Sequence, residues 1–140
     1  MAGIFPDSFI LIFKNISLTV IDEIQNICKK LPHVTEDIKW ESHLCYNIGK
    51  KMFIITSPDT SPVSASFKVD DEDFSELQER EGFIPAPYLA RYKWIHVDDI
   101  TRLSKKQWQL YLTKAYDLVS SKLPAAMRKE LGITINKKNK

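Results

Sequence analysis

Cysteine, glycine and long apolar runs are all scarce in this chain, and each scarcity removes a class of function. The two cysteines, Cys28 and Cys45, are too few for a disulfide framework and have no CxxC spacing of the kind that holds zinc. A reducing cytoplasm is therefore the expected compartment. The four glycines never cluster, so no glycine-rich loop is available to cradle a phosphate. The longest apolar run near the start, FILIF at Phe9 to Phe13, lies between Asp7 and Lys14 without a basic leader or a small-residue cleavage pattern. It is too short for a membrane span, and no membrane association is expected.

What is present suits one compact core. A chain of 140 residues, 44% hydrophobic and 27% charged, can close a single domain without metals or disulfides. The formal net charge of +2 hides a strong segmentation. Residues 1–69 balance at seven cations and seven acids. DDEDFSELQERE, residues 70–81, sets one arginine against seven acids, a net of −6, and residues 82–140 set twelve cations against four acids, a net of +8. An acidic helix followed by a basic half and a frayed lysine tail would produce this distribution; so would a basic binding face.

Periodicity orders the elements. In SLTVIDEIQNICKKLP, Val20, Ile21, Ile24, Ile27, Cys28 and Leu31 fall on one helical stripe, with Ser17 as a cap and Pro32 as a stop. HLCYNI, KMFIITS and VSASFKV follow as three short strands, the first two joined by a tight turn at Gly49-Lys50. Asp70 or Asp71 caps a wet acidic helix that faces the core only through Phe74 and Leu77 and ends at Gly82. Pro85 and Pro87 shorten any strand before them, and ARYKWIHV supplies the next. Ser104 and Gln107 form a capping-box pattern ahead of a helix carrying Trp108, Tyr111, Leu112, Ala115, Leu118 and Val119, which breaks at Pro124. A short helical turn then runs to Gly132. The expected fold is α+β, a two-layer sandwich of helices on an antiparallel sheet in the order α-β3-α-β2-α. The expected domains are an N-terminal extension, 1–17, packed on the core or on a second copy because both sides of FILIF are apolar, a single domain over 18–132, and a basic flexible tail from 133 to 140.

Catalytic constellations are sparse. His43 and Cys45 lie two apart on one strand face, with His96 as a possible neighbour, the minimum for a thiol nucleophile or a partial metal site. No second cluster supplies the remaining ligands. Asp70 to Asp73 fit a helix start better than a calcium loop. The chain is accordingly expected to be no enzyme, with no cofactor and no metal.

The stretch ARYKWIHV permits two readings. As a strand it sends Arg91, Lys93, Ile95 and Val97 one way and Tyr92, Trp94 and His96 the other. Either the aromatics cover the sheet while the cations run out to solvent, or Arg91 and Lys93 join Lys50 and Lys51 at the hairpin turn, and Lys39 beside Trp40, in a strip that holds phosphates. Tyr88, Trp94, Trp108 and Tyr116 are expected as structural aromatics.

From about Leu18 to Gly132 the chain resembles the MmcQ/YjbR family of small bacterial proteins, usually labelled DNA-binding. The resemblance is carried by LPHVTEDIKW, IGKKMF, SFKVD, PAPYLARYKWIHVDD and KAYDLVSSKLP in that order and spacing, while the first sixteen or so residues exceed the family's usual start. It implies a two-layer α/β fold similar to type III secretion chaperones and, more loosely, to frataxin. It matches Lys51, Tyr88 and Trp94 to family positions without assigning any of them a contact. Three functions then stand in order: a DNA-binding protein acting through a basic surface; a protein-partner or peptide-binding adaptor of secretion-chaperone-like shape; and a small-molecule binder or enzyme with a closed pocket.

Overall fold

Helix-forming periodicity at both ends of the chain and short β-rich segments between them fold into two layers. The computed structural model describes residues 7–39 and 42–133, with side chains from Thr19 onward. Six strands form one sheet in the order β1-β2-β3-β4-β6-β5, and every pairing is antiparallel. They are β1 (Val34–Lys39), β2 (His43–Ile48), β3 (Lys51–Ser57), β4 (Ser64–Lys68), β5 (Phe83–Pro85) and β6 (Trp94–Val97). The helices are α1 (Asp7–Lys30), α2 (Asp71–Leu77), α3 (Lys105–Ser121) and α4 (Ala125–Leu131).

The main core lies between α1, α3 and one sheet face. Ile21, Ile24, Ile27 and Cys28 of α1 and Trp108, Leu112 and Ala115 of α3 meet Tyr46, Ile54, Phe67, Ile95 and Val97 of the sheet. Each fully buried large aliphatic or aromatic side chain in such a layer contributes roughly 1.5–3 kcal/mol. Two hydrogen bonds lock α3 in place: Trp108 Nε1 donates to the Ile100 carbonyl at 2.9 Å, and the Tyr116 hydroxyl donates to the Pro32 carbonyl at 2.7 Å. Trp108 and Tyr116 are thus tied into the core by their polar ends as well as by their rings. The capping box is present, with the Gln107 N–H donating to Ser104 Oγ and the Ser104 N–H to Gln107 Oε1. Asp70 caps α2 by accepting the Asp73 N–H at 2.7 Å.

Four expectations need correction. The sheet has a strand more than expected ahead of α2: VTEDIK forms β1, so the order is α-β4-α-β2-α-α. This edge strand shows no apolar alternation because it is held by its backbone ladder to β2 and by Glu36, which accepts the Tyr46 hydroxyl at 2.7 Å. Charges on an edge strand also discourage pairing with other chains. Ser17 does not cap α1, because the helix runs through it from Asp7. The side chains of the expected extension, residues 1–17, and the expected tail from 134 on lie outside what is described. Helix α2 stops at Leu77 rather than at Gly82, and Gly82 occupies a later turn at φ 88° where the Arg102 side chain would meet any Cβ. ARYKWIHV is not one strand: Ala90–Tyr92 is a 3-10 turn, Lys93 is left-handed at φ 62°, and β6 begins only at Trp94.

Candidate functional site

Strand register decides which cations meet. Val34 lies opposite Ile48, Ile48 opposite Lys51, and Lys68 opposite Trp94, while the Val69 N–H donates to the Lys93 carbonyl and extends the ladder one step. Lys50, Lys51, Lys68, Arg91 and Lys93 therefore share one end of the sheet, on three neighbouring strands spaced about 4.8 Å apart. Lys39 does not join them. It pairs with His43 at the opposite end of β1, about 17 Å along the strand from Val34 at roughly 3.3 Å per residue.

The turn that carries Lys50 is built for tightness. Gly49 and Lys50 have φ of 57° and 68°, the two left-handed residues a two-residue hairpin favours. A Cβ at Gly49 would lie 2.6 Å from Leu123 Cδ1, so the turn is pressed against the segment between α3 and α4. Lys50 and Lys51 are both exposed beyond it. On the other side of the cluster the Arg91 guanidinium lies 4.9 Å from the Tyr92 ring centroid and the Lys93 ammonium 4.9 Å from that of Phe74. Both cations are placed by aromatic rings instead of carboxylates.

Lys68, which the segment-by-segment sequence reading passed over, stands at the centre. Its ammonium donates to the Tyr92 carbonyl. Burial lowers its proton affinity, the charges of Lys122 and Lys93 lower it further, and Asp71 pulls the other way. Lys122, the cap at the end of α3, is thus a second cation that only the tertiary structure brings here. Among the described residues, none of Lys50, Lys51, Lys68, Arg91, Lys93 and Lys122 takes part in an ion pair. Nearby Asp70 is already engaged: burial opposes its ionisation, but the Asp73 N–H and Lys114, 3.3 Å away, hold its carboxyl below the usual range.

The aromatics divide. Trp94 is 6% exposed, but it packs on the sheet face opposite the helices, with Cys45, Ile55 and Ala86. Tyr88 departs from its expected structural role. It is 98% exposed, at φ 66°, because Ala86 and Leu89 on either side turn into the second cluster and leave its ring outside.

On that same sheet face the register aligns Cys45, Ile55, Ser66 and His96 in one row across four strands. Ser66 Oγ and His96 Nδ1 hydrogen-bond at 2.9 Å. Burial lowers the proton affinity of His96, against the opposing pull of Asp98. Burial also pushes the Cys45 thiol up to about 11, with Lys39 lowering and Asp37 raising it, so it stays protonated and unreactive at neutral pH. The described residues contain no group of three or more metal-ligating side chains, and no described helix is long and apolar enough to cross a membrane.

A family model described as YjbR matches residues 29–118. Among solved structures, the chain is similar to the crystal structure of Deinococcus radiodurans protein DR2400, which carries a DUF419 domain; the two are 27% identical over 83% of this chain and 90% of that one, with a TM-score of 0.71. No curated protein matches.

Proposed function

The chain belongs to the YjbR family, and from that premise we propose that it is a non-catalytic DNA-binding protein that holds phosphates at the basic end of its sheet. One observation carries the reading: five lysines and Arg91, from the β2–β3 turn, β4, the 90–93 turn and the end of α3, converge there without an ion pair among the described residues. Burial first, and the neighbouring charges of Lys122 and Lys93 after it, depress the Lys68 ammonium, and a bound polyanion would relieve the repulsive part of that cost. Contacts of this kind go to the backbone and are largely independent of sequence. Two buried free thiols, Cys28 and Cys45, support a reducing cytoplasm as the site of action.

A salt titration with labelled DNA tests the reading. Affinity should fall linearly on a log-log plot, with a slope of about −0.9 per phosphate contacted. The absence of any DNA affinity at low salt would remove the proposal. The adaptor reading would then lead, on the observation that both sheet edges expose an isoleucine, Ile38 of β1 at 65% and Ile84 of β5 at 52%, where a peptide strand could add. Binding of that kind would depend little on salt.

A further inference from the structure

Tyr88 raises a question that folding does not answer. A bulky residue in the left-handed region is uncommon and strained. Such strain is ordinarily offset by burial, yet here the ring is 98% exposed. The loop around it is firmly held: the Ala86 N–H donates to the Trp94 carbonyl at 2.9 Å, the Leu89 N–H to the Ala86 carbonyl at 3.1 Å, and Ala86 and Leu89 pack into the second cluster. Four residues on, Tyr92 is 53% exposed with the Arg91 guanidinium against its ring, and its carbonyl is the group that Lys68 holds. Two aromatic faces thus stand in solvent on a rigid loop, beside the cations of the sheet end.

We infer that this end of the sheet takes single-stranded DNA, with unpaired bases stacked on Tyr88 and Tyr92 and the intervening phosphates held by Arg91, Lys93 and Lys68. The inference rests on the DNA-binding reading and narrows it. A duplex offers phosphates to the lysines but keeps its base faces stacked on one another, leaving the two rings without a partner. A single strand presents both, and every base has a face that can stack, so the contact needs no sequence preference. The charge and the exposed rings then have one common occupant.

The test compares a labelled 20-nucleotide oligothymidine with a hairpin duplex by fluorescence polarisation at low salt, for the wild-type protein, Tyr88→Ala, Tyr88→Phe and Tyr92→Ala. The expected result is tighter binding of the single strand, a loss of about tenfold for each alanine variant on the single strand alone, and near wild-type affinity for Tyr88→Phe, which keeps the ring. Because Tyr88 is unburied, its alanine variant should melt with the wild type, and Tyr88→Phe separates loss of stacking from any change in the loop. Equal or tighter binding of the duplex, or alanine variants that leave single-strand binding unchanged or weaken both ligands alike, would overturn the inference while the DNA-binding reading stood. Failure of wild-type protein to bind either ligand would overturn both.

Discussion

The two ends of the sheet use the same kinds of charged side chain in opposite ways. At the end where β6 finishes, charges are satisfied locally: Arg102 Nε donates to Asp98 at 2.6 Å, Arg80 donates to the Arg102 carbonyl and lies 5.0 Å from the Phe83 ring centroid, and Asp99 accepts the Thr101 N–H and hydroxyl. Among the described residues, Lys39 is in no ion pair there. At the end where β6 begins, cations from four separate segments meet without ion pairs among the described residues, and the proton affinity of Lys68 is lowered there, first by burial and then by its cationic neighbours. One end is closed by its own electrostatics, and the other carries positive charge outside any ion pair among the described residues.

The most damaging way to break the comparison is to remove the floor beneath the open end. Trp94→Ala should cost roughly 3–5 kcal/mol, as truncation of a buried aromatic does. Chemical denaturation should therefore show a markedly destabilised protein, and any loss of DNA binding by this variant reports folding and not contact. An unchanged denaturation midpoint would mean that the second cluster does not support the loop.

Removing charge from the open end alone is the sharper cut. Arg91→Ala combined with Lys93→Ala should lower the magnitude of the salt slope for DNA by about two units. Stability should change by no more than about 1 kcal/mol, since both side chains rest only on ring faces near the surface. A double variant that binds with an unaltered salt slope would detach these cations from the phosphates.

Acid should weaken the fold at a point between the two ends. The folded pKa of His96 lies below its unfolded value, so the unfolded chain takes up a proton more readily than the native one does. Stability from this source is intact above about pH 6.5 and declines as pH falls through that value toward the folded pKa. The capping carboxyl of Asp70, also held below its usual range, adds a second decline at lower pH, below its unfolded pKa of about 3.9. Thermal melts from pH 8 to pH 5 should show the first decline, and His96→Gln should flatten it. An identical profile in that variant would assign the decline to other groups.

The smallest effect is expected at the closed end. Asp98→Asn removes an exposed ion pair to Arg102, and such pairs contribute little. Melting temperature and DNA affinity should both stay close to wild type. A clear gain in DNA affinity would show that Arg102 had been masked and that the two ends differ less than their geometry indicates.

Local signals were legible wherever the physics is short-range. The stripes of α1 and α3, the Ser104–Gln107 capping box, the Asp70 cap and the Gly49-Lys50 hairpin all depend on residues within about four positions of one another. β1 was missed because VTEDIK is polar on an exposed edge and is a strand only through its ladder to β2. ARYKWIHV misled for the converse reason. Its composition suits a strand, yet the left-handed Lys93 and the bond from the Lys93 N–H to the Ala90 carbonyl close a turn first. That turn moves Arg91 and Lys93 off a common strand face and leaves Tyr92 half in solvent.

The sequence by itself determined the helical stripes of α1 and α3, the N-caps of α2 and α3, the apolar sets that form the core, and a basic second half following an acidic segment. It did not determine where that charge would collect. Only the tertiary structure set Lys50 and Lys51 beside Lys68, Lys93 and Lys122, separated Lys39 from them, and left Tyr88 outside the core. Periodicity and capping act through contacts between near neighbours in the chain. Register across an antiparallel sheet is fixed by backbone pairing and by burial of one whole face, and it joins residues whose separation along the chain carries no trace of their proximity.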